Sequence, residues 1–144
     1  MMKKSKGSVL LAALLTLTAA SAAQAQSAED QVREVVTTAY VEGIHIERDP
    51  AKVRAGFDET FVMSVRSDEG VSHITREEWL SRMRAGDRNP REVTHRFTDV
   101  MVVGNTATAR LELFIDGNHI FTDVLGLYRF DSDWRIVNKI FERH

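Results

Sequence analysis

The sequence predicts one α+β domain, with helical segments first and a long antiparallel meander after them. Two observations carry this reading. Between Ser27 and Gly86, apolar residues recur mainly at spacings of three and four, interrupted by one short hairpin; after Pro90 they recur at every second position. The turns Gly104-Asn105, Asp116-Gly117 and Asp131-Ser132-Asp133 then cut the second half into strands that pair with their sequence neighbours. Helices grouped ahead of strands, rather than alternating with them, exclude a βαβ fold.

The elements follow in order. Lys3, Lys4 and Lys6 precede the apolar run Val9 to Ala20, and Ala23-Gln24-Ala25 is a small-x-small site. This is the three-part pattern of a secretory signal peptide, and the run is short of the roughly 20 residues that a membrane span needs. Residues 1–25 are therefore expected to be cleaved after Ala25, leaving 26–144 as a single domain in the periplasm or secreted. Ser27 to about Ile46 reads as a helix, with Val32, Val35, Val36, Ala39, Tyr40, Gly43 and Ile44 on one stripe and Ser27 or Asp30 as its cap. Asp49-Pro50 is an N-cap followed by a first-turn proline, and it opens a short helix to about Gly56 with Val53 and Phe57 turned inward.

Phe61 to Arg66 alternates and reads as a strand, Ser67 to Gly70 as a turn, and Val71 to Ile74 as the return. Thr75-Arg76-Glu77-Glu78 is a capping box. It starts a helix to about Ala85, with Trp79, Leu80 and Met83 on one face and Gly86 as its stop. Strands are expected over about 92–103, 106–115, 119–130 and 134–141.

Composition narrows the function. The 144 residues hold 19 Lys+Arg, 21 Asp+Glu and no Cys. Without residues 1–25 three lysines are gone, and the remainder carries 16 basic against 21 acidic side chains. An acidic domain has no electrostatic reason to seek nucleic acid or anionic membrane. The absence of Cys excludes disulfides, thiol catalysis, an Fe–S cluster and a thioether lipid anchor. No GxSxG, P-loop or GxGxxG motif is present. His45, His73, His95, His119 and His144 lack HxH or HxxxH spacing, so no metal is expected, and no cofactor.

Turn lengths give a register. Two-residue turns at 104–105 and 116–117 and a three-residue turn at 131–133 set Asp99 against Arg110, Arg110 against Asp123, and Gly126 against Asn138. A one-residue slip would exchange the faces of a strand. In this register one face carries Val100, Val102, Ala107, Ala109, Leu111, Leu113, Ile120, Val124, Tyr128, Trp134, Ile136 and Ile140, together with Arg96, Thr98, Thr122, Gly126 and Asn138. It is the expected seat of the helices. The other carries Phe97, Asp99, Arg110, Glu112, Phe114, Phe121, Asp123, Leu125 and Leu127, a mixture of aromatics and charges expected at a dimer contact.

The stretches Phe121-Thr122-Asp123-Val124-Leu125-Gly126-Leu127-Tyr128 and Asp131 to Phe141 (DSDWRIVNKIF) resemble the end of the putative lumazine-binding family, a branch of the nuclear-transport-factor-2-like superfamily. The resemblance covers nearly all of 28–142. It implies a curved sheet forming a cone around the N-terminal helices, often in a dimer. The superfamily hosts isomerases, dehydratases, hydrolases and binding proteins, so the fold assigns no activity. Its ketosteroid isomerases have a first-helix tyrosine near Tyr40, a general-base carboxylate near Val65 and an acid of the oxyanion hole near Gly126. Val65 and Gly126 have no such chemistry, which argues against that reaction.

The expected pocket lining is Tyr40, Phe61, Met63, Val65, Trp79, Arg96, Thr122, Gly126, Tyr128 and Asn138. There, apolar burial would give affinity to a small apolar or aromatic molecule, and Tyr40, Arg96 and Asn138 would orient it. The expected dimer face is Phe97, Asp99, Arg110, Glu112, Phe114, Phe121, Asp123 and Leu125. Two alternatives stand beside this exported, dimeric binding protein. One is a cofactor-free isomerase, dehydratase or hydrolase using the same pocket, its catalytic residues unassigned, with His45 as a base if it turns inward. The other is an interaction module with a filled cone.

Overall fold

A computed structural model describes residues 26–144; the expected signal peptide lies outside the described residues. Helix α1 is Ala28–Val35, capped by Ser27, whose side chain accepts from the Asp30 amide. Without a break it continues as a π-helical segment, Val36–Ile46. Helix α2, Pro50–Gly56, has Asp49 as its cap and proline in its first turn. Strand β1 is Phe57–Ser67 and β2 is Gly70–Thr75. Helix α3, Arg76–Arg82, carries the full capping box between Thr75 and Glu78. Met83 already has an extended backbone, so this helix stops three residues short of the expected Ala85. The meander follows as β3 Val93–Val103, β4 Thr106–Ile115, β5 Asn118–Phe130 and β6 Asp133–Arg143.

The six strands form one sheet in the order β2-β1-β6-β5-β4-β3. All neighbours are antiparallel except β1 and β6, which run parallel. The sheet curves around the helices without closing, an α+β cone. Val32, Val36, Ala39 and Tyr40 from the helical side are buried with Leu111, Leu113, Leu125, Leu127, Trp134 and Ile136 from the sheet. Asp116 and Gly117 both have positive φ, 51° and 77°, the two left-handed positions of a type I′ hairpin turn.

Three irregularities in the meander correct the expected faces. The β4–β5 hairpin begins in the expected register, Ile115 against Asn118 and Phe114 against His119, and then shifts so that Leu113 meets Phe121. Ile120 is the extra residue. Beyond it Arg110 lies against Val124, not Asp123, and every later side chain of β5 changes face. Leu125 and Leu127 are thereby buried, while Tyr128 is half exposed. In β6 the shift lies at Val137, between the pairs Leu127–Ile136 and Gly126–Asn138. It keeps Trp134 and Ile136 in the core and brings Lys139 to the same side, with Ile140 outside. In β3 it lies at Thr98, so Phe97 packs on the core while Val100 and Val102 still do.

Candidate functional site

The site is built where the π-helical segment, α3 and the ends of β5 and β6 meet. Five residues separate Tyr40 from His45. At 3.6 residues per turn they would point about 140° apart. The wider i→i+5 turns of a π-helix bring them together instead. Their rings meet edge to face at 4.8 Å.

Tyr40 is fully buried, and its hydroxyl donates to Asp123 Oδ2 at 2.7 Å. Lys139 donates to the other carboxylate oxygen of Asp123. Both members of this ion pair are buried, with side chains 0 % exposed for Asp123 and 4 % for Lys139. The Lys139 ammonium also lies over the Phe141 ring at 4.1 Å and the Tyr40 ring at 5.4 Å. Burial raises the Tyr40 hydroxyl well above its ordinary pKa, and the Asp123 charge and hydrogen bond add to the effect. Tyr40 therefore stays a donor. Burial pulls the Lys139 ammonium below its ordinary value, against the opposing pull of Asp123.

Beside this triad lies a cavity of about 190 Å³, lined by Tyr40, His45, Met63, Trp79, Phe121, Lys139, Phe141 and Arg143. At ~30 Å³ per water it holds roughly six waters' worth of space, the bulk of a small ring. Trp79 forms one wall and is itself stacked on Phe61 at 5.9 Å. Phe121 and Phe141 meet at right angles, 5.6 Å apart. His45 Nε2 is sealed from solvent and has no hydrogen-bond partner in the protein. Burial, then the charges of Lys139 and Arg48, push the imidazole down to about 3, so it is neutral at ordinary pH. A neutral imidazole offers one donor and one acceptor.

Of the expected lining, Tyr40, Met63 and Trp79 are at this cavity. Phe61 is in the core behind Trp79, and Val65 lines a neighbouring pocket that shares Phe141 and Arg143. Arg96, Thr122, Gly126, Tyr128 and Asn138 are on the opposite face of the sheet, because the shifts at Thr98, Ile120 and Val137 turn them outward. Arg96 there bonds Glu112, and Gly126 does leave room for Asn138, whose Oδ1 would lie 2.5 Å from a Cβ at that position.

Of the expected dimer face, Asp99, Arg110, Glu112 and Phe114 are outside, whereas Phe97, Phe121, Asp123 and Leu125 turn toward the helices. Asp99 and Arg110 are register partners as expected, but Arg110 bonds Thr98 and Asp123 is in the core, so the three-strand ladder does not form. His45, expected only as an alternative base if it turned inward, does line the cavity, whereas Lys139, Phe141 and Arg143 were not expected there. The signal for Lys139 was its apolar setting, Ile136 to Phe141, in a stretch otherwise typical of a core strand. Among the described residues no cluster of three or more His, Asp or Glu is arranged to hold a metal ion.

The profile of a family described as putative lumazine-binding matches residues 27–142. No curated protein matches the chain. Three solved structures, each a nuclear-transport-factor-2-like protein of unknown function, share the fold. The protein from Shewanella baltica OS155 is 22% identical with a TM-score of 0.64, over 79% of this chain and 91% of its own. The one from Silicibacter pomeroyi DSS-3 is 19% identical with a TM-score of 0.66, over 79% and 93%. The one from Methylobacillus flagellatus KT is 21% identical with a TM-score of 0.63, over 80% and 90%.

Proposed function

The chain belongs to the putative lumazine-binding family, and from that premise we propose that it binds a small, flat, largely apolar molecule in the cavity beside Tyr40 and His45. One observation carries the reading: an aromatic-walled cavity is bordered by His45, whose Nε2 is buried without a partner in the protein. A buried polar atom without a partner is costly, and a ligand atom that bonds it recovers that cost. Stacking on Trp79 and contact with Tyr40, Phe121 and Phe141 supply affinity, and His45 Nε2 sets orientation. The ligand therefore has one flat ring system and at least one polar edge atom.

The experiment is a titration followed by tryptophan fluorescence and by Tm, with lumazine and with single-ring aromatics. Binding of any of them, weakened at least about tenfold in H45A, supports the reading; tenfold is the ~1.4 kcal/mol that one hydrogen bond is worth. A set of ring-sized molecules that leaves both signals unmoved overturns it.

Two further parts of the proposal concern place and assembly. Residues 1–25 direct export to the periplasm or beyond and are removed after Ala25. N-terminal sequencing of the exported protein tests this; a mature start at Met1 overturns it. The outer face of the sheet packs against a second copy. It exposes Val71, Tyr128 and Ile140 beside a groove of about 410 Å³ that Val71, Val124 and Ile140 line.

A further inference from the structure

The two lysines of residues 26–144 have opposite settings. This stretch uses arginine at 14 of its 16 basic positions, and the exceptions are Lys52 and Lys139. Lys52 is at the surface, where Glu42 and Glu47 accept from it at 2.8 and 2.9 Å and hold its ammonium up to about 12. Lys139 lines the cavity, almost wholly shielded from solvent. A guanidinium stays charged in a protein, whereas burial can free a lysine amine. The chain thus places a lysine, in preference to its usual arginine, at the one cavity-lining basic position that is buried.

The surroundings of Lys139 select the group that fits beside it. One of its three donors goes to Asp123 Oδ1, and aromatic faces cover much of the rest. A ligand carboxylate would meet Asp123, a like charge in a dry site. A neutral carbonyl oxygen meets no such repulsion and can accept from Lys139, which lines the cavity.

We propose that Lys139 is an imine-forming amine that adds to the aldehyde or ketone carbon of a small aromatic carbonyl compound bound in the cavity. The inference rests on the small-molecule reading above. In the step, Asp123 takes one proton from the Lys139 ammonium. The freed Nζ lone pair then forms the C–N bond while one Nζ proton passes to the carbonyl oxygen, which becomes a hydroxyl. That hydroxyl takes back the proton held by Asp123 and leaves as water, and the C=N bond closes as a protonated imine. The balance is ammonium plus carbonyl giving protonated imine plus water, with no change of oxidation state. Tyr40, donating to Asp123 Oδ2, fixes the carboxylate for its proton transfers, and His45 is a further polar residue of the cavity wall. Burial lowers the cost of freeing the amine.

The test treats the purified protein with benzaldehyde and then borohydride, and maps the reduced adduct on peptides. Benzyl alcohol, which has the ring without the carbonyl, is the control, and binding of both is followed by Tm. The expected result is an adduct on Lys139 formed at least about tenfold faster than on Lys52, whose ammonium Glu42 and Glu47 hold at the surface away from the bound carbonyl compound. It is absent in K139R. Lys52 is an internal standard within the wild-type protein, so the comparison stands even if K139R does not fold. Binding of both compounds with no preference for Lys139 overturns the imine and leaves the binding reading intact. No binding and no adduct overturns both.

Discussion

Tyr40 and Asp123 are 83 residues apart in the chain and 2.7 Å apart in the fold, hydroxyl to carboxylate. The bond ties the helical layer to the centre of the sheet. Tyr40 also shares its aromatic face with the cavity, so one residue belongs to both core and site. In Y40F the ring remains and one oxygen of a buried carboxylate loses its donor. A hydrogen bond to a charged group contributes about 1.5–3 kcal/mol. Urea unfolding of Y40F should show a loss in that range with an unchanged m-value; a loss under 0.5 kcal/mol, within the usual scatter of surface substitutions, would mean that water or another donor replaces the hydroxyl.

Asp123 and Lys139 invite a double-mutant cycle. Breaking a buried pair on one side leaves an uncompensated charge, whereas replacing both partners with apolar groups is often neutral. D123L alone should cost about 3–5 kcal/mol by that rule. D123L/K139M should recover most of it, measured by urea unfolding. Additive losses in the double variant would show that the pair is not energetically coupled.

The order of elements was legible in the sequence because local chemistry fixes it. Asp49-Pro50, the Thr75–Glu78 box and the Asp116-Gly117 turn each act over four residues or fewer, and each stands where expected. The faces of the later strands were not legible, because single extra residues at Thr98, Ile120 and Val137 invert the side chains beyond them. Nothing local marks Ile120 as the extra residue; the choice belongs to the core, which takes Leu125 and Leu127 in preference to Val124 and Tyr128. That inversion exchanged Asp123 for Thr122 at the site. Whether His45 turns inward was undecided for a related reason. An α-helical stripe excludes it, and the π-helical turns that admit it have no pattern in the side chains.

His45 links stability to pH. In the fold its imidazole protonates only near 3, while in the unfolded chain it does so near 6.5. Between these values the unfolded chain binds the extra proton. Stability therefore rises with pH across this window and is lost as pH falls from about 6.5 toward 3. His95, also lowered by burial, adds to the same slope. H45Q should flatten the dependence between pH 7 and 5 relative to wild type, read as the urea midpoint at each pH. Parallel curves for the two proteins would show that the imidazole titrates freely in the fold.

Gly56 ends α2 where that helix crosses the π-helical segment. A Cβ there would lie 2.3 Å from Ala39 Cβ. Neither atom can rotate away, so G56A must push the two helices apart, at a cost of about 1–3 kcal/mol for overpacking. A39G removes the opposing methyl. The double variant A39G/G56A should therefore be more stable than G56A alone, compared by Tm; an unrescued double variant would place the strain elsewhere in the crossing.

The outer face of the sheet carries exposed apolar side chains. Ile140 is 56 % exposed and Val71 63 %. Both border the groove that also holds Val124, and Arg66 and Glu142 lie on its margin. Isolated apolar residues on a surface need no explanation, but a groove lined by three of them marks a contact site. A second copy meeting the first across a two-fold axis would set this groove against itself and bury Ile140 in both. A glutamate at 140 would then leave two carboxylates facing each other in a desolvated contact, at a cost well above what an exposed substitution incurs. Native mass spectrometry and light scattering should find a dimer in the wild type and a monomer in I140E. The circular dichroism spectrum should be unchanged, because Ile140 takes no part in the core. A wild-type protein that is monomeric at 100 μM would overturn the assembly and leave the groove free for a different partner.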